Sequence, residues 1–514
     1  MSDTRKGDAR WWERRWFALA AVLLSAVPLL WPAVPPLTDL PGHIGRYHIA
    51  ARLADSALLQ QHWDYRWQLI GNLGVDLAVL PLARVFGAVP AAKLVVLMIP
   101  PLTVAGFILL SRTAGGGRLA PAAPFAFPLA YGFPFQFGFV NFALSAALAL
   151  LALALWMRMQ RVVAGRALLF VPIALLLWVA HCFGWALFCL FAFGTDLAWL
   201  RGEGRALGKA ILRAGLRCLP LAVPLIPMLA GGGSGDGSLG ASWEWLAKLQ
   251  WLASLLREQW QRYDLMCALL LLALAWLGLR SAAMRVDRPL AWAAAIGAMA
   301  WLVLPYRLLG GAYVDMRMTP YVVALLIVGI RARDRRIASA LAWLGTFFFL
   351  LRIATTTWVF LGAAAAQEQA AAVAERLPRG AAVLVAVREP CRSWSVARLS
   401  HVTGLAIVRR DAFDNGEWTL AGQQLLRDRH PRAGAYRADP SQMIFDAACA
   451  WNGQDLPTML RSFDRGTFDY VWTIDLPTPP LPPDLVPVAR SGPSLLLRVS
   501  PAPDKRLPDG PLAH

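Results

Sequence analysis

The sequence predicts an α-helical polytopic membrane protein, with about eleven transmembrane helices and a small α/β domain outside the membrane at its C-terminal end. Three observations point there. Of the 514 residues, 57% are hydrophobic and only 16% charged, where soluble domains average about 45–50% apolar and about 25% charged. The apolar surplus is gathered into blocks of roughly 17 to 25 residues, the length that crosses about 30 Å of hydrocarbon. Basic residues collect between alternate pairs of blocks, and the 23 Trp suit rings that anchor helices at the lipid–water boundary. This combination sets aside a soluble enzyme, a disordered chain and a disulfide-framed miniprotein. The formal net charge of +18 raises the question of nucleic acid. The charges lie in connections between apolar blocks, so membrane lipids and not nucleic acid are the expected partners.

The elements follow in chain order. Residues 1–15 carry Arg5, Lys6, Arg10, Arg14 and Arg15 and are expected in the cytoplasm, because short segments rich in Lys and Arg stay inside. The first apolar block, about 16–35, runs into prolines rather than a small-residue cleavage site, so it reads as a retained anchor. Further basic connections are Arg112 and Arg118, then Arg158, Arg161 and Arg166, then Arg201, Arg205, Lys209, Arg213 and Arg217. Arg280, Arg285 and Arg288 form the next, and Arg331, Arg333, Arg335 and Arg336 the last. With the N-terminal segment they hold 22 of the 50 Lys and Arg, while the loops at about 36–90, 133–139, 181–184, 231–262 and 305–318 hold only nine. Each interval between basic connections therefore contains an even number of crossings. Residues 119–157 and 167–200 make tight hairpins with turns at Tyr131–Phe139 and His181–Gly184. Residues 218–279 and 289–330 make hairpins with longer outer loops, and crossings at about 16–35, 91–111 and Ile337–Leu361 bring the total to eleven. This membrane domain, 16–361, leaves the N-terminus inside and the end of the last helix outside.

The first outer loop, about 36–90, contains amphipathic stretches around Trp63, Tyr65 and Trp67 and over Asn72–Arg84, which predict helices lying flat at the interface. Beyond about Ala366 the composition changes. Short apolar runs at Ala381–Val387, Gly404–Val408, Phe468–Ile474 and Ser494–Val499, with helical character over Gln367–Leu377, predict a small α/β domain over 366–514. By parity it is extracytoplasmic, periplasmic for a Gram-negative inner membrane. Cys391 and Cys449 are the only cysteines of this tail, and in an oxidising compartment such a pair is expected to bridge.

The outer face carries the chemistry. In Pro35-Pro36-Leu37-Thr38-Asp39-Leu40-Pro41-Gly42-His43, Asp39 is the first carboxylate after the first helix, its backbone approach fixed by prolines. A helix starting after Pro41 sets His43, Arg46 and Tyr47 on one face. Asp39 as a plain helix cap is the alternative. A second cluster runs from Pro305-Tyr306-Arg307 to Asp315-Met316-Arg317. Arg307 and Arg317 suit a phosphate, since a guanidinium offers paired donors to anionic oxygens, while Asp315 either joins a substrate site or pairs with one of them. His181 stands at an outer turn, as a packing residue or a ligand. Arg352 lies inside the last span beside Thr355, Thr356 and Thr357, which favours the bundle interior over snorkelling. The aromatic turn Tyr131–Phe142 is either an isoprenoid or acyl groove or an interfacial belt.

A first helix with its N-terminus inside, a long outer loop bearing an early Asp, many further helices and an outer C-terminal domain resemble the GT-C superfamily of membrane glycosyltransferases. The chain departs from its better-known branches in having Thr38-Asp39-Leu40-Pro41 rather than a paired Asp-Glu, and no WWDYG-like motif in the outer domain. A poorly characterised bacterial branch is the nearer resemblance. It implies a polyprenyl-phosphate-linked sugar donor and a lipid or glycan acceptor, with Asp39 as general base. It also implies basic residues, by location Arg307, Arg317 and Arg352, at the donor phosphate. No cofactor is implied with certainty, and a divalent metal has no support in the sequence. A transporter or lipid flippase is the rival, but no broken-helix pair recurs in corresponding halves and no carboxylate ladder runs through the spans. A non-catalytic envelope assembly protein is the third reading.

Overall fold

The computed structural model describes residues 10–230, 241–308, 311–419, 424–446, 449 and 454–500. Arg5 and Lys6 of the basic N-terminal segment, residues 231–240 and Gly310 of the outer loops, and residues 501–514 of the tail lie outside the described residues.

Every expected crossing has a helical counterpart, but the lengths differ. Six helices are long and apolar enough to cross a membrane: Ala88–Ala114, Val140–Arg158, Val163–Ala180, Cys182–Gly202, Gln261–Arg280 and Arg335–Arg376. The remaining five counterparts are shorter. Arg15–Leu29 and Arg288–Val303 are apolar, Val314–Val328 has 15 residues, and 219–230 is split into two short helices. Ala123–Tyr131 is a 3-10 helix with every residue buried. Proline is the physical reason for the breaks. Pro121, Pro124 and Pro128 in one segment, and Pro220, Pro224 and Pro227 in the other, each remove a donor from the i→i−4 ladder. Length and composition thus support six spans, and the count of eleven rests on charge placement alone.

The basic connections meet at one end of the bundle. Arg118 pairs with Glu13 at 2.9 Å, Arg112 donates to the Glu13 carbonyl, and Trp11 lies 4.6 Å from Trp343. Arg331 pairs with Asp287 at 2.7 Å and donates to the Ser111 and Arg118 carbonyls. The opposite end holds the first loop, the turn 132–139 and the 305–317 cluster.

On that end stands the C-terminal domain. Its central strand Ala382–Glu389 runs parallel to Phe413–Asp414, Met443–Phe445 and Tyr470–Ile474. Tyr470–Ile474 then pairs antiparallel with Ser494–Val499, which pairs antiparallel with Leu485–Ser491. Strand side chains alternate between faces. Leu384 and Ala386 enter one apolar cluster, Val383, Val385 and Val387 the other. The second cluster takes in Ala370, Ala371 and Ala374 at the end of the long helix. The first takes in Ile49, Leu59 and Trp63 from the first outer loop. That loop is therefore more than a set of interfacial helices: strand Trp63–Tyr65 pairs with Leu426–Asp428, and His48 meets Asp411 at 2.9 Å. Apolar side chains turn outward at Trp67 and Leu69 and along Gly74–Phe86, through Leu77, Val85 and Phe86.

Three of the four apolar runs of the tail form strands. Gly404–Val408 does not; Gly404–Arg410 is a helix, and a five-residue apolar run is ambiguous between the two by pattern. Packing decides it. The helix crosses Leu40–Arg52 where glycines meet, and a β-carbon on Gly404 would lie 2.6 Å from the Pro41 carbonyl oxygen. Cys391 and Cys449 are joined in a disulfide with Cα atoms 6.3 Å apart.

Candidate active site

The helix Leu40–Arg52 begins immediately after Asp39, with Pro41 in its first turn. Asp39 occupies the N-cap position, yet its side chain accepts no capping bond, so the carboxylate is free to face elsewhere. Its backbone is set by the aromatic turn. The Thr38 and Asp39 amides donate to the carbonyls of Gln136 (3.3 Å) and Phe137 (3.1 Å). Gly138 makes that approach feasible, being at φ +102° where a β-carbon would sit 2.6 Å from the Asp39 amide.

Asp39 looks into a cavity of about 1200 Å³ between the bundle mouth, the first loop and the C-terminal domain. His43, His181, Arg307 and Arg317 also line it. Phe137, Phe139 and Phe142 form one wall, while Tyr131, Phe133 and Phe135 are buried behind them, so the turn is not a lipid-exposed belt. The C-terminal domain supplies Glu389, His401, Trp418 and Asp439. The Trp418 ring lies against both His43 and His401, at 4.9 and 4.3 Å.

Electrostatics divide the cavity in two. On one side carboxylates crowd around His401, whose Nε2 is 3.8 Å from an oxygen of Asp39 and 3.8 Å from one of Asp439. Burial first, then the Asp439 charge, raise the Asp39 pKa well above the ordinary carboxylate range, and the Arg317 charge opposes them. Burial pushes Glu389 up to about 7 against the Ser400 hydroxyl that donates to it at 2.8 Å. Burial also lowers the His401 imidazole, which Asp439 counteracts. His401 Nδ1 faces the Gly416 carbonyl at 3.2 Å. A carbonyl only accepts, so Nδ1 carries the hydrogen and a neutral His401 turns the Nε2 lone pair to the carboxylates. Burial and the Arg46 charge likewise hold His43 neutral.

On the other side stand the cations. Arg317 is packed on ring faces, its Cζ 4.2 Å from Phe139 and 5.2 Å from Phe183. Its Nε has no hydrogen-bond partner, and it enters no ion pair among the described residues. Arg307 is exposed, 5.9 Å from the Tyr306 ring. A guanidinium held by rings alone keeps its donor fork for an outside anion. The cavity can thus hold an anionic group at the arginines and a hydroxyl at the carboxylates.

Three candidate residues are placed elsewhere. Arg46 makes a two-point pair with Asp76, each bond 3.1 Å, and Asp76 in turn accepts from Asn141 at 2.9 Å. This ties the Asp39 helix to the bundle. Asp315 is taken by Lys248 and by the Trp251 ring nitrogen, both at 3.1 Å; its ion pair is with Lys248 and not with Arg307 or Arg317. Arg352 faces the interior, as its threonines suggest, but it is held by Asp264 at 2.8 Å and Glu258 at 3.3 Å and does not line the cavity. Thr356 donates to the same Glu258. Gln136 donates to the other oxygen of Glu258 at 2.9 Å, so the buried cluster ends at the turn that fixes Asp39. His181 lines the cavity and also caps helix Cys182–Gly202, its Nδ1 accepting from Phe183 at 3.1 Å.

The residues missed from sequence are Glu389, His401, Trp418 and Asp439. No local pattern set His401 apart, since the tail holds three of the chain's seven His; the cavity is lined by His43, His181 and His401. Among the described residues no group of three or more His, Cys, Asp and Glu is placed to hold a metal ion.

No family model and no curated protein matches the chain. Two solved structures are similar to it over 94% of its length and 97% of theirs, each with 13% sequence identity. One is ArnT from Cupriavidus metallidurans in the apo state, with a TM-score of 0.45. The other is the same protein bound to undecaprenyl phosphate, with a TM-score of 0.49. At that identity and those scores the likeness assigns neither substrate nor reaction to this chain.

Proposed function

We propose that this chain is a membrane glycosyltransferase of the GT-C kind, moving a sugar from a polyprenyl-phosphate donor to a lipid or glycan acceptor at the outer face of the cytoplasmic membrane. One observation carries the reading: an uncapped, buried carboxylate, Asp39, shares a cavity at the bundle mouth with Arg317, a guanidinium that has no ion-pair partner among the described residues. Asp39 is the general base. It takes the proton of the acceptor hydroxyl as the acceptor oxygen bonds to the anomeric carbon. The bond from that carbon to the donor phosphate breaks, and its electron pair leaves with the phosphate, whose charge Arg317 and Arg307 stabilise. Attack opposite the leaving group inverts the anomeric centre. A base works best with a pKa near the working pH, and the raised pKa of Asp39 serves that purpose. His401, with its bare Nε2 3.8 Å from Asp39 and from Asp439, is a positioning residue that packs between the two carboxylates.

The test is mass spectrometry of lipids and surface glycans from a deletion strain complemented with wild type or Asp39→Asn. The expected result is a glycan mass that is lost on deletion, returns with wild type and does not return with Asp39→Asn at equal membrane abundance. Restoration by both versions would remove Asp39 as base.

A further inference from the structure

The first outer loop and the C-terminal domain meet along strand Trp63–Tyr65. Two more backbone bonds tie its ends: the Arg429 amide donates to the His62 carbonyl and the Arg66 amide to the Leu425 carbonyl, both at 2.9 Å. Immediately before that strand, at the last residue of helix Ala57–His62, one imidazole meets another. His62 Nδ1 is 2.8 Å from His430 Nε2, and His62 Nε2 is 2.8 Å from the Gly380 carbonyl oxygen. His62 is 5% exposed and His430 half-buried. Both rings lie by Phe413, at 6.0 and 4.2 Å. Neither histidine lines the cavity that holds Asp39.

The bonding pattern fixes the hydrogens. A carbonyl only accepts, so His62 Nε2 carries its hydrogen, and a neutral His62 presents a bare Nδ1 to the Nε2–H of His430. A proton on His62 makes Nδ1 a second donor, and two N–H groups then face each other across 2.8 Å. A proton on His430 charges a ring packed on Phe413, with the nearby carboxylates already engaged. Asp428 accepts from Arg437 at 2.6 Å and from the His430 amide at 3.1 Å, and Asp469 accepts from the Ala382 amide at 2.9 Å. Burial pulls the His62 imidazole below its ordinary value, opposed by the Gly380 bond and the Asp469 charge. Burial and then the His62 charge take His430 down to about 4; Asp428 and Asp469 oppose them, and Arg437 adds to them. Undocked imidazoles near about 6.5 bind more protons than docked ones. The stability that docking draws from this pair is therefore complete above about 6.5 and lost as pH falls from there towards 4. The neighbouring pair of His48 with Asp411, whose carboxylate also holds Arg379, has the opposite sign, because a charge on His48 strengthens it.

We propose that the His62–His430 pair is an acid-released latch: neutral, it holds the first outer loop to the C-terminal domain, and protonated, it frees strand Trp63–Tyr65 from Leu426–Asp428. The chain that continues from the freed strand carries Arg437 and Asp439, which line the cavity with Asp39. Release therefore loosens that wall. The latch stands on the contact between the two segments and does not depend on the glycosyltransferase reading.

Amide hydrogen exchange of the full-length protein in detergent, read by mass spectrometry and corrected for the intrinsic pH dependence of exchange, tests it. Peptides covering Trp63–Tyr65 and Leu426–Asp428 should exchange about tenfold faster at about pH 5 than at about pH 7.5, the scale set by imidazoles whose pKa rises on release. In a stepwise titration of wild type the acceleration should set in between about 6.5 and 4. Strands Tyr470–Ile474 and Ser494–Val499 of the same domain should not accelerate, which separates release from acid unfolding. Gln offers one donor and one acceptor and does not titrate, so the double variant His62→Gln, His430→Gln should lose the acceleration. His48→Gln should keep it. The wild-type titration needs no variant and decides the matter even if the double variant fails to fold. Corrected exchange that is independent of pH, an onset outside that window, equal acceleration of the control strands, acceleration retained in the double variant, or its loss with His48→Gln would each overturn the proposal. None of these outcomes bears on Asp39, so the glycosyltransferase reading keeps its own test.

Discussion

At the scale of single residues the site depends on how a carboxylate is kept from its ordinary work. Asp39 stands where an Asp usually caps a helix, and a cap would hold it ionised and inert. The turn at Gly138 positions its backbone, the side chain accepts no capping bond, and burial with Asp439 nearby raises its pKa. A pH dependence follows. The base proposed here, Asp39, would act only when ionised, so kcat/KM should fall as pH drops through its pKa, with the acid limb lying above the roughly 4 of a free carboxylate. Asp439→Asn removes a charge that raises that pKa, so the limb should move to lower pH. An unmoved limb in a pH–rate profile would separate Asp439 from Asp39. Loss of the proposed base, in Asp39→Asn, should cost about 10²–10⁴ in kcat, which is measurable once donor and acceptor are in hand.

At the scale of elements, the positioning of Asp39 runs back into the bundle. The long helix brings Arg352 to Glu258 and Asp264, Glu258 reaches Gln136, and the carbonyl of Gln136 receives the Thr38 amide. Breaking a buried ion cluster by removing one partner leaves charges uncompensated and typically costs about 3–5 kcal/mol. Arg352→Met should therefore lower the thermal unfolding midpoint of the protein in detergent, with Arg352→Lys milder. Unchanged stability together with weakened donor binding would return Arg352 to the donor. The same scale shows what pattern reading misses. Arg352 was legible as an interior charge because an ionisable group deep in a span is costly and needs partners. Its partners Glu258 and Asp264 lie about 90 residues away, with separations of 94 and 88, and no local pattern links residues so distant.

At the scale of the whole molecule, the C-terminal domain and the first outer loop share one core. Ile49, Leu59 and Trp63 pack with Leu384, Phe413 and Leu426. Cutting the chain after the last helix would expose that face. An isolated 366–500 fragment should fail to give a cooperative unfolding transition by circular dichroism, and a sharp, reversible one would show that the domain is self-sufficient. Sidedness belongs to this scale too. The basic connections gather at the end opposite the cavity, and short basic segments stay in the cytoplasm. A reporter fused after Leu361 should read external and one fused at Asp334 internal; a cytoplasmic signal after Leu361 would reverse the placement.

Composition and charge alone determined that this is a membrane protein of many helices with a mixed α/β tail, because burial in lipid demands apolar length and connections keep their basic residues on one side. That Asp39, Arg307 and Arg317 lie at one mouth was also legible, since prolines and glycines beside charged residues at helix ends restrict the backbone locally, and all three line one cavity. Only the tertiary structure decided which charges serve the cavity and which hold the bundle together. It paired Arg46 with Asp76 and Asp315 with Lys248, made Gly404–Arg410 a helix, and brought His401 and Asp439 beside a carboxylate some 360 to 400 positions earlier in the chain. The reason is physical: apolar periodicity and charge placement act over a few turns of helix, whereas the partner of a buried charge is chosen by packing between distant segments.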